Sequence, residues 1–185
     1  MDGVKWLFFD IGSTLVDETK VYGDLFQKIA DAAGMSAESV ITRAIGFYRQ
    51  NKRGHREVMQ LLGVEYPEWS PAYEELYPDT VKCLRVLGEK YHLGIIANQI
   101  PGAEQRLEAM GIRRYFDVFV SSAEEGVAKP NPGIFRIALA RAGCAPEQAV
   151  MIGDRIDNDI VPAKKLDLSY RLHKCIAKNC NTTNS

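Results

Sequence analysis

The stretch Val4-Lys5-Trp6-Leu7-Phe8-Phe9-Asp10 decides the fold of this chain. It is a short apolar run rich in aromatic residues, and the glycine-containing turn Ile11-Gly12-Ser13-Thr14-Leu15 follows it. A run of this length that stops at a turn is typical of a buried β-strand. Because the run is nearly continuous rather than alternating, it predicts a parallel sheet that is covered on both faces.

Later segments repeat this organisation. Four further strands are predicted, at residues 93–98, 118–120, 149–154 and 168–172. Helical patterns separate them, at residues 79–87, 101–110, 131–142 and 157–166. Pro132 suits the first turn of its helix and Gly143 suits the end of it, whereas Pro162 is expected to interrupt the last helix. Alternating strands and helices predict right-handed crossovers and an α/β fold with a doubly wound parallel sheet.

The segment between the first two strands departs from this alternation, because residues 18 to about 76 show no strand pattern. Apolar residues recur at helical spacing before Gly34, Ser36 can cap a second helix, and a third helix is predicted at residues 55–62. Such a segment is too long for a connecting loop, so it predicts an all-helical inserted domain. Ligands of open parallel sheets bind outside the carboxyl ends of the strands, and we expect the insertion to cover that region. The predicted domains are an α/β core at 1–16 and 77–173, a helical cap at 17–76 and a polar tail at 174–185.

Composition excludes several classes of protein. The formal net charge of -1, from 23 basic and 24 acidic residues, does not indicate a nucleic-acid or anionic-membrane binder. No apolar run reaches the ~18–20 residues of a membrane span, and the N-terminus lacks the features of a signal peptide. We therefore expect a cytoplasmic protein whose partner is a small molecule, and the sequence does not determine the oligomeric state. The scattered cysteines are predicted to be reduced, with incidental metal binding by the tail as an alternative: Cys83, Cys144, Cys175 and Cys180.

Three charged residues fall where an α/β active site is expected. Asp10 ends the first strand, Asp154 ends the fourth, and Lys129 comes just before a helix. Carboxylates provide the oxygen ligands that Mg²⁺ prefers, and a lysine supplies a compact positive charge to phosphate oxygens. Their convergence at one edge of the sheet predicts a site for a hard cation and a phosphate group.

Three segments carry a family resemblance: FFDIGSTL (8–15), GVAKPNPGIF (126–135) and MIGDRIDNDI (151–160). They resemble motifs one, three and four of the haloacid dehalogenase superfamily, and the resemblance extends from Trp6 to about Leu172. It implies a hydrolase in which the first aspartate, here Asp10, attacks phosphorus and forms an aspartyl-phosphate that water then hydrolyses. A carboxylate nucleophile divides one difficult displacement into two easier ones. The inserted helices match the cap of the first subclass of the family.

The resemblance also implies a Mg²⁺ site. Asp10, the backbone carbonyl of Gly12 and Asp154 correspond to the metal ligands of the family, and Asp159 or Asp157 to the residue that holds the metal's waters. Phosphoryl transfer depends mainly on positioning and on neutralising charge, which Mg²⁺ and a lysine can provide.

The remaining motif positions imply phosphate contacts. Lys129 corresponds to the residue that steadies the nucleophile and the transferring phosphoryl group, and Thr14 to the threonine that closes motif one. Motif two of the family has a serine or threonine that donates to phosphate, but here Ala97 occupies that position. A shift of one residue would bring in Asn98, whose amide can also donate, so Asn98 is a predicted phosphate ligand and a simple turn residue is its alternative.

Gly12 is the second departure from the pattern. Phosphatases of the family have an aspartate there, which protonates the leaving oxygen and then activates water. General acid–base catalysis contributes about 10² to 10⁴-fold to a rate. We therefore expect slow turnover of alkyl phosphates and a smaller loss with good leaving groups.

Gly12 also leaves other functions open. Phosphonoacetaldehyde hydrolases have a small residue at this position, but they use a cap lysine, and none of the cap lysines lies in an identifiable apolar setting: Lys20, Lys28 and Lys52. The 2-haloacid dehalogenases work without metal, which Asp154 and its neighbouring acids argue against. A catalytically degenerate binding or regulatory protein remains the alternative to a phosphohydrolase. His55 in the cap is predicted to be solvated.

Overall fold

The computed structural model describes residues 3–50 and 52–173, so the predicted polar tail with Cys175 and Cys180 lies outside the described residues. Two compact units are present: one contains the described residues of Met1–Val16 and Leu76–Ser185, and the other is formed by those of Asp17–Glu75. We call them the core unit and the inserted unit. Cys83 and Cys144, the cysteines within the described residues, are free thiols.

The strands are β1 (Trp6–Phe9), β2 (Val16–Asp17), β3 (Glu75–Leu76), β4 (His92–Ala97), β5 (Val118–Ser121), β6 (Ala149–Gly153) and β7 (Ser169–Leu172). The α-helices are α1 (Thr19–Ala33), α2 (Ala37–Arg49), α3 (Gly54–Leu62), α4 (Thr80–Gly88), α5 (Ala103–Ala109), α6 (Ser122–Glu125), α7 (Pro132–Ala142) and α8 (Val161–Lys165). Short 3₁₀ turns occur at Pro71–Tyr73, Arg113–Tyr115 and Pro146–Gln148. Within the described residues, the helices all fall short of the length and apolar character that a bilayer span requires.

The core unit contains a five-stranded sheet in the order β5-β4-β1-β6-β7, and every neighbouring pair is parallel. This confirms the predicted doubly wound α/β fold. The register aligns Phe9 of β1 with Ile95 of β4 and Ile152 of β6, so β1 lies at the centre of the sheet. The backbone N–H of Asp10 donates to the carbonyl of Ile152 over 2.9 Å, which places Asp10 at the carboxyl edge of the sheet.

Both faces of this sheet are covered. Leu7 and Phe9 belong to one buried apolar cluster, and Trp6 and Phe8 belong to the other. This division follows from the period of two in a strand, which sends successive side chains to opposite faces. Gly94 of β4 is required by close packing, because a Cβ atom there would lie 2.6 Å from the ring of Phe8.

The last predicted helix differs from the structure. Residues 157–166 do not form one helix: a π-helical turn covers Ile156–Ile160 and α8 begins afterwards. Pro162 lies in the first turn of α8, where its missing N–H costs no helical hydrogen bond. The short strands β2 and β3, which pair in a separate two-stranded sheet, were not predicted because two residues show no periodicity.

The inserted unit packs α1, α2 and α3 around one apolar cluster that includes Leu25, Ile29 and Val58. The predicted signals occur where expected: Gly34 ends α1 in a left-handed conformation, and the Ser36 hydroxyl accepts from a backbone N–H at the start of α2.

The prediction that His55 is solvated is wrong. Its side chain is buried, and Nδ1 lies 2.7 Å from the hydroxyl of Tyr48. The rings of Tyr22 and Tyr66 also lie next to the imidazole. The charged residues beside His55 in the sequence gave no sign of these aromatic contacts, which arise from other parts of the insertion.

Candidate active site

Three carboxylates meet at the carboxyl edge of the core sheet. Asp10 follows β1, Asp154 follows β6, and Asp159 belongs to the π-helical turn after β6. One oxygen from each lies within 4.8 Å of the others. The parallel sheet explains the first two positions, because the carboxyl ends of neighbouring parallel strands share one edge.

Lys129 lies between two of these carboxylates. Its Nζ atom is 2.6 Å from Oδ1 of Asp159 and 3.0 Å from Oδ1 of Asp10. The lysine is only 2% exposed, which is rare for this residue type unless its charge is compensated. Since each ion pair is shielded from water, removing one partner would leave an uncompensated buried charge.

Both carboxylate oxygens of Asp159 have a hydrogen-bond partner. It is fully buried, Oδ1 accepts from Lys129, and Oδ2 accepts from the backbone N–H of Arg155 over 3.0 Å. A Cβ atom on Gly153 would lie 2.3 Å from Oδ2 of Asp159. Glycine at position 153 therefore leaves the space that the carboxylate occupies.

Asp157 and Asp159 were predicted as alternatives for the residue that holds the metal's waters, and the structure places them in different surroundings. Asp157 forms a two-point ion pair with Arg155, in which Nη2 and Oδ2 are 2.6 Å apart. Asp159 instead joins the group formed by Asp10 and Asp154. The π-helical turn produces this difference, because it sends the two side chains in different directions.

The electrostatics of the site follow from burial. Burial raises the pKa of Asp10 to about 6, with Lys129 opposing the rise and Asp159 adding to it. Burial likewise raises the pKa of Asp154 to about 7, and the charges of Asp10 and Asp159 add to that rise. The pKa of Lys129 is raised despite its burial, because two carboxylates stabilise its charged form.

The site carries more negative than positive charge, which favours the binding of a metal ion. Three carboxylates share a single buried lysine, and two of them, Asp10 and Asp154, have raised pKa values. A divalent cation would relieve the repulsion that remains, and carboxylate oxygens are ligands that Mg²⁺ accepts. The donor set therefore fits Mg²⁺.

Asn98 contacts the lysine loop, residues 126–131, through the backbone. Its side-chain oxygen accepts from the N–H of Lys129 over 2.7 Å, and its amide nitrogen donates to the carbonyl of Lys129 over 2.8 Å. The preceding residue, Ala97, is fully buried at the end of β4. The structure thus brings Asn98 to Lys129, and its predicted contact with phosphate stays a prediction.

The motif-one loop, residues 10–16, contributes fewer side-chain contacts. Gly12 has no side chain and forms an isolated bridge with Val16. Ser13 adopts a left-handed backbone with a φ angle of 55°. The Thr14 hydroxyl is buried and has no hydrogen-bond partner among the described residues.

Sequence reasoning missed the residues that support the site from behind. Gln99, next to Asn98, is held by the Ser122 hydroxyl on its backbone and by Arg106 on its side-chain oxygen. The backbone N–H of Arg155 donates to Asp159, and Gly153 leaves space for its carboxylate. The glycine before Asp154 was a visible signal, but the contacts of Ser122 and Arg106 depend on tertiary packing.

Comparisons with known proteins agree with this architecture. The family model of haloacid dehalogenase-like hydrolases matches residues 4–167. A glyceraldehyde 3-phosphate phosphatase of Methanothermobacter thermautotrophicus is 41% identical over 190 aligned residues, which cover 90% of this chain and 84% of that protein. The protein of the same name in Pyrococcus furiosus is 30% identical, over 91% of this chain and 80% of its own length.

A solved structure shows the same fold. The haloacid dehalogenase phosphatase of Thermococcus onnurineus superposes with a TM-score of 0.67 at 24% identity, covering 98% of this chain and 89% of that one. The match of the family model over most of the chain agrees with the parallel sheet and with the charged group at its edge. The chain belongs to the haloacid dehalogenase-like hydrolase family and is a hydrolase of the phosphatase type.

Proposed function

We propose that this hydrolase is a Mg²⁺-dependent phosphohydrolase that cleaves a small phosphorylated metabolite through an aspartyl-phosphate at Asp10. The observation that supports this most is the position of Asp10 at the edge of the sheet, 3.0 Å from the buried Nζ of Lys129. A buried cation beside a carboxylate can stabilise the charge of a phosphoryl group as it is transferred. In this proposal Asp10 and Lys129 are the catalytic residues.

The hydrogen bonds of Asp10 favour one oxygen as the nucleophile. Oδ1 accepts from the backbone N–H of Ile11 over 2.8 Å and lies next to Lys129. Among the described residues no hydrogen bond engages Oδ2, so we assign Oδ2 as the attacking atom. Its attack on phosphorus breaks the bond to the leaving group, and water then attacks the phosphorus of the aspartyl-phosphate to release phosphate.

Asp10, Asp154, Asp159 and the backbone carbonyl of Gly12 would hold Mg²⁺. The bound ion would neutralise negative charge on the phosphoryl group and help to orient it. The buried, unpartnered hydroxyl of Thr14 supports a role in binding phosphate, because a ligand oxygen would satisfy it. The contacts of Asn98 support positioning of Lys129 over direct phosphate binding.

The names of the relatives suggest a first substrate to test. Two of them are glyceraldehyde 3-phosphate phosphatases, and a three-carbon phosphate ester is therefore our first candidate. The expected reaction is release of inorganic phosphate from such a compound, and turnover is expected to be slow because Gly12 supplies no acid or base.

The test is phosphate release from glyceraldehyde 3-phosphate, p-nitrophenyl phosphate and acetyl phosphate, with Mg²⁺ and after removal of metal by a chelator. Asp10→Asn should abolish release, whereas the matched control Asp117→Asn, an exposed aspartate, should not. Equal rates in the wild type and Asp10→Asn would overturn the proposal.

A second function is favoured by Gly12 and Ala97, which lack the side chains that the family pattern has at these positions. A degenerate binding protein would bind Mg²⁺ and beryllofluoride, as a thermal-shift titration can show, without any turnover above background. Mg²⁺-dependent turnover that Asp10→Asn abolishes would exclude this second function.

A further inference from the structure

We infer that the preferred substrates of this site are acyl phosphates, whose leaving group departs without a proton, and that the phosphorylated form of Asp10 persists after each transfer. This inference rests on the proposed function of Asp10. It names a substrate class that differs from the phosphate ester suggested by the relatives. The leaving group can take a proton only from a group near Asp10 that is not already engaged.

Lys129 is the first possible proton donor, and two carboxylates engage it. Its Nζ atom lies 3.0 Å from Asp10 and 2.6 Å from Asp159, and its side chain is 1% exposed. Transfer of its proton to a leaving group would leave both carboxylates without their buried counter-charge. Lys129 is therefore suited to hold charge and unsuited to donate a proton in every cycle.

Asp159 is the second candidate, and it has no exposed surface. Lys129 occupies one of its oxygens and the backbone N–H of Arg155 occupies the other. Asp157, two residues away, is bound by the guanidinium of Arg155. Neither aspartate offers an unengaged oxygen that could accept a proton from water.

Asp154 is the third candidate. Its carboxylate lies with those of Asp10 and Asp159 in the group that fits a divalent cation. A carboxylate oxygen that holds a cation cannot at the same time serve as a proton acceptor. Gly12, two residues from Asp10, has no side chain. In the described part of the core unit, the charged groups that act on Asp10 are thus held in ion pairs or belong to the carboxylate group that fits a cation.

The first step distinguishes leaving groups by their basicity. Oδ2 of Asp10 attacks phosphorus, and the bond from phosphorus to the bridging oxygen breaks, with the electron pair remaining on that oxygen. A carboxylate leaving group needs no proton, because carboxylic acids have pKa values of about 4. An alkoxide leaving group is about as basic as hydroxide, so its departure needs a proton donor. The core unit thus favours acyl phosphates.

The second step needs a base for every substrate. Water attacks the phosphorus of the aspartyl-phosphate, the carboxylate of Asp10 leaves with its electron pair, and the proton of the attacking water passes to solvent. Without a positioned base this step loses about 10² to 10⁴-fold in rate. Since departure of an acyl leaving group is not slowed, the phosphoenzyme should accumulate with acyl phosphates.

The test is rapid-quench kinetics of the full chain with Mg²⁺ and acetyl phosphate. We expect a burst of acetate close to one equivalent per enzyme, followed by a slow steady rate. The intact mass should increase by one phosphoryl group in the wild type and remain unchanged in Asp10→Asn. The kcat/KM for glyceraldehyde 3-phosphate, which reports the first step, should be lower than that for acetyl phosphate by about 10²-fold or more.

Gly12→Asp is the variant that should reverse this behaviour, and Gly12→Asn is its control of nearly equal size without a titrating group. Gly12→Asp should remove the burst and should turn over about 10² to 10⁴-fold faster than Gly12→Asn, because the two variants differ only in the titrating group. Thermal unfolding shows whether both variants fold. If Gly12→Asp does not fold, the burst and the mass increase of the wild type test the inference by themselves.

The outcomes separate the two proposals. Equal kcat/KM values for acetyl phosphate and glyceraldehyde 3-phosphate, with no burst and no covalent adduct, would overturn the inference while leaving an Mg²⁺-dependent phosphohydrolase in place. No adduct and no turnover with any phosphate would overturn the proposed function as well. An adduct that Asp10→Asn lacks, together with a burst, supports both.

Discussion

The two sides of the candidate site differ in how completely their polar atoms are engaged. On one side, Lys129 and Asp159 are buried and ion-paired, Asn98 accepts from the backbone N–H of Lys129, and Gly153 leaves space for the Asp159 carboxylate. On the other side, the motif-one loop has a glycine at position 12 and a buried threonine hydroxyl without a partner among the described residues.

This difference teaches that the site is built for charge and less for proton transfer. The lysine side can stabilise a phosphoryl group without rearranging, because its dipoles and charges are already in place. The motif-one loop carries the proposed nucleophile, Asp10, and none of its other side chains is a carboxylate, an imidazole or an amine.

Removing the charge of Lys129 should disrupt its ion pairs with Asp10 and Asp159. Lys129→Met is expected to lower kcat/KM by about 10³-fold, because a preorganised charge beside the nucleophile is lost. It should also destabilise the fold by about 3–5 kcal/mol, because Asp159 becomes an uncompensated buried charge. Steady-state kinetics and urea unfolding measure the two effects. The control Lys90→Met removes an exposed lysine, and a similar loss in both variants would contradict the prediction.

Loosening the lysine loop should have a smaller effect. Asn98→Ala removes two hydrogen bonds to the backbone of Lys129 and should lower kcat by about tenfold to a hundredfold. Asn98→Asp keeps a side-chain oxygen as acceptor and loses the N–H donor, so its kcat should fall between those of the wild type and Asn98→Ala. A rise in KM with an unchanged kcat would instead identify Asn98 as a direct phosphate ligand.

The pH dependence of stability tests the excess of carboxylates. The pKa values of Asp10 and Asp154 in the folded protein are about 6 and about 7, above the ordinary value of 3.8. Above about pH 4 the unfolded chain releases these protons while the folded protein retains them, so stability should fall as pH rises through 6 and 7. We expect the Tm of metal-free protein to fall by several degrees across this range.

Two controls belong to that measurement. Asp154→Asn removes one of the two titrating groups and should make the fall in Tm shallower. Mg²⁺ added above pH 7 should raise the Tm, because a ligand that binds only the folded protein stabilises it. A metal-free Tm that rises steadily from pH 5 to pH 7 would contradict the prediction.

A change in the motif-one loop, at the hydroxyl of Thr14, should have the smallest effect. Thr14→Val removes a buried hydroxyl that has no partner and should stabilise the metal-free protein by about 1 kcal/mol, or about 2–4 °C in Tm. The matched control is Thr80→Val, whose buried hydroxyl donates to the carbonyl of Leu15 over 2.9 Å. That variant should destabilise, and a loss of stability in Thr14→Val would show that the hydroxyl is already engaged.

Most of the fold was predictable because its signals are local. Each predicted strand of the core is present with boundaries shifted by two residues or fewer, and Gly143 ends α7 as expected. Apolar runs, caps and helix-ending glycines act over a few residues, so the sequence displays them directly. The last helix was predicted incorrectly, because the π-helical turn at Ile156–Ile160 has no local signal in the sequence.

The sequence alone was enough to predict the parallel sheet and, with it, the meeting of Asp10 and Asp154 at one edge, because the alternation of strands with helices and the carboxyl ends of the strands follow from patterns in the chain. Only the tertiary structure decided that Asp159, and not Asp157, joins them, and that Asn98 holds the backbone of Lys129. Those choices depend on burial and on contacts between residues far apart in sequence. Whether a charged side chain is engaged or exposed is set by neighbours that the order of residues does not display.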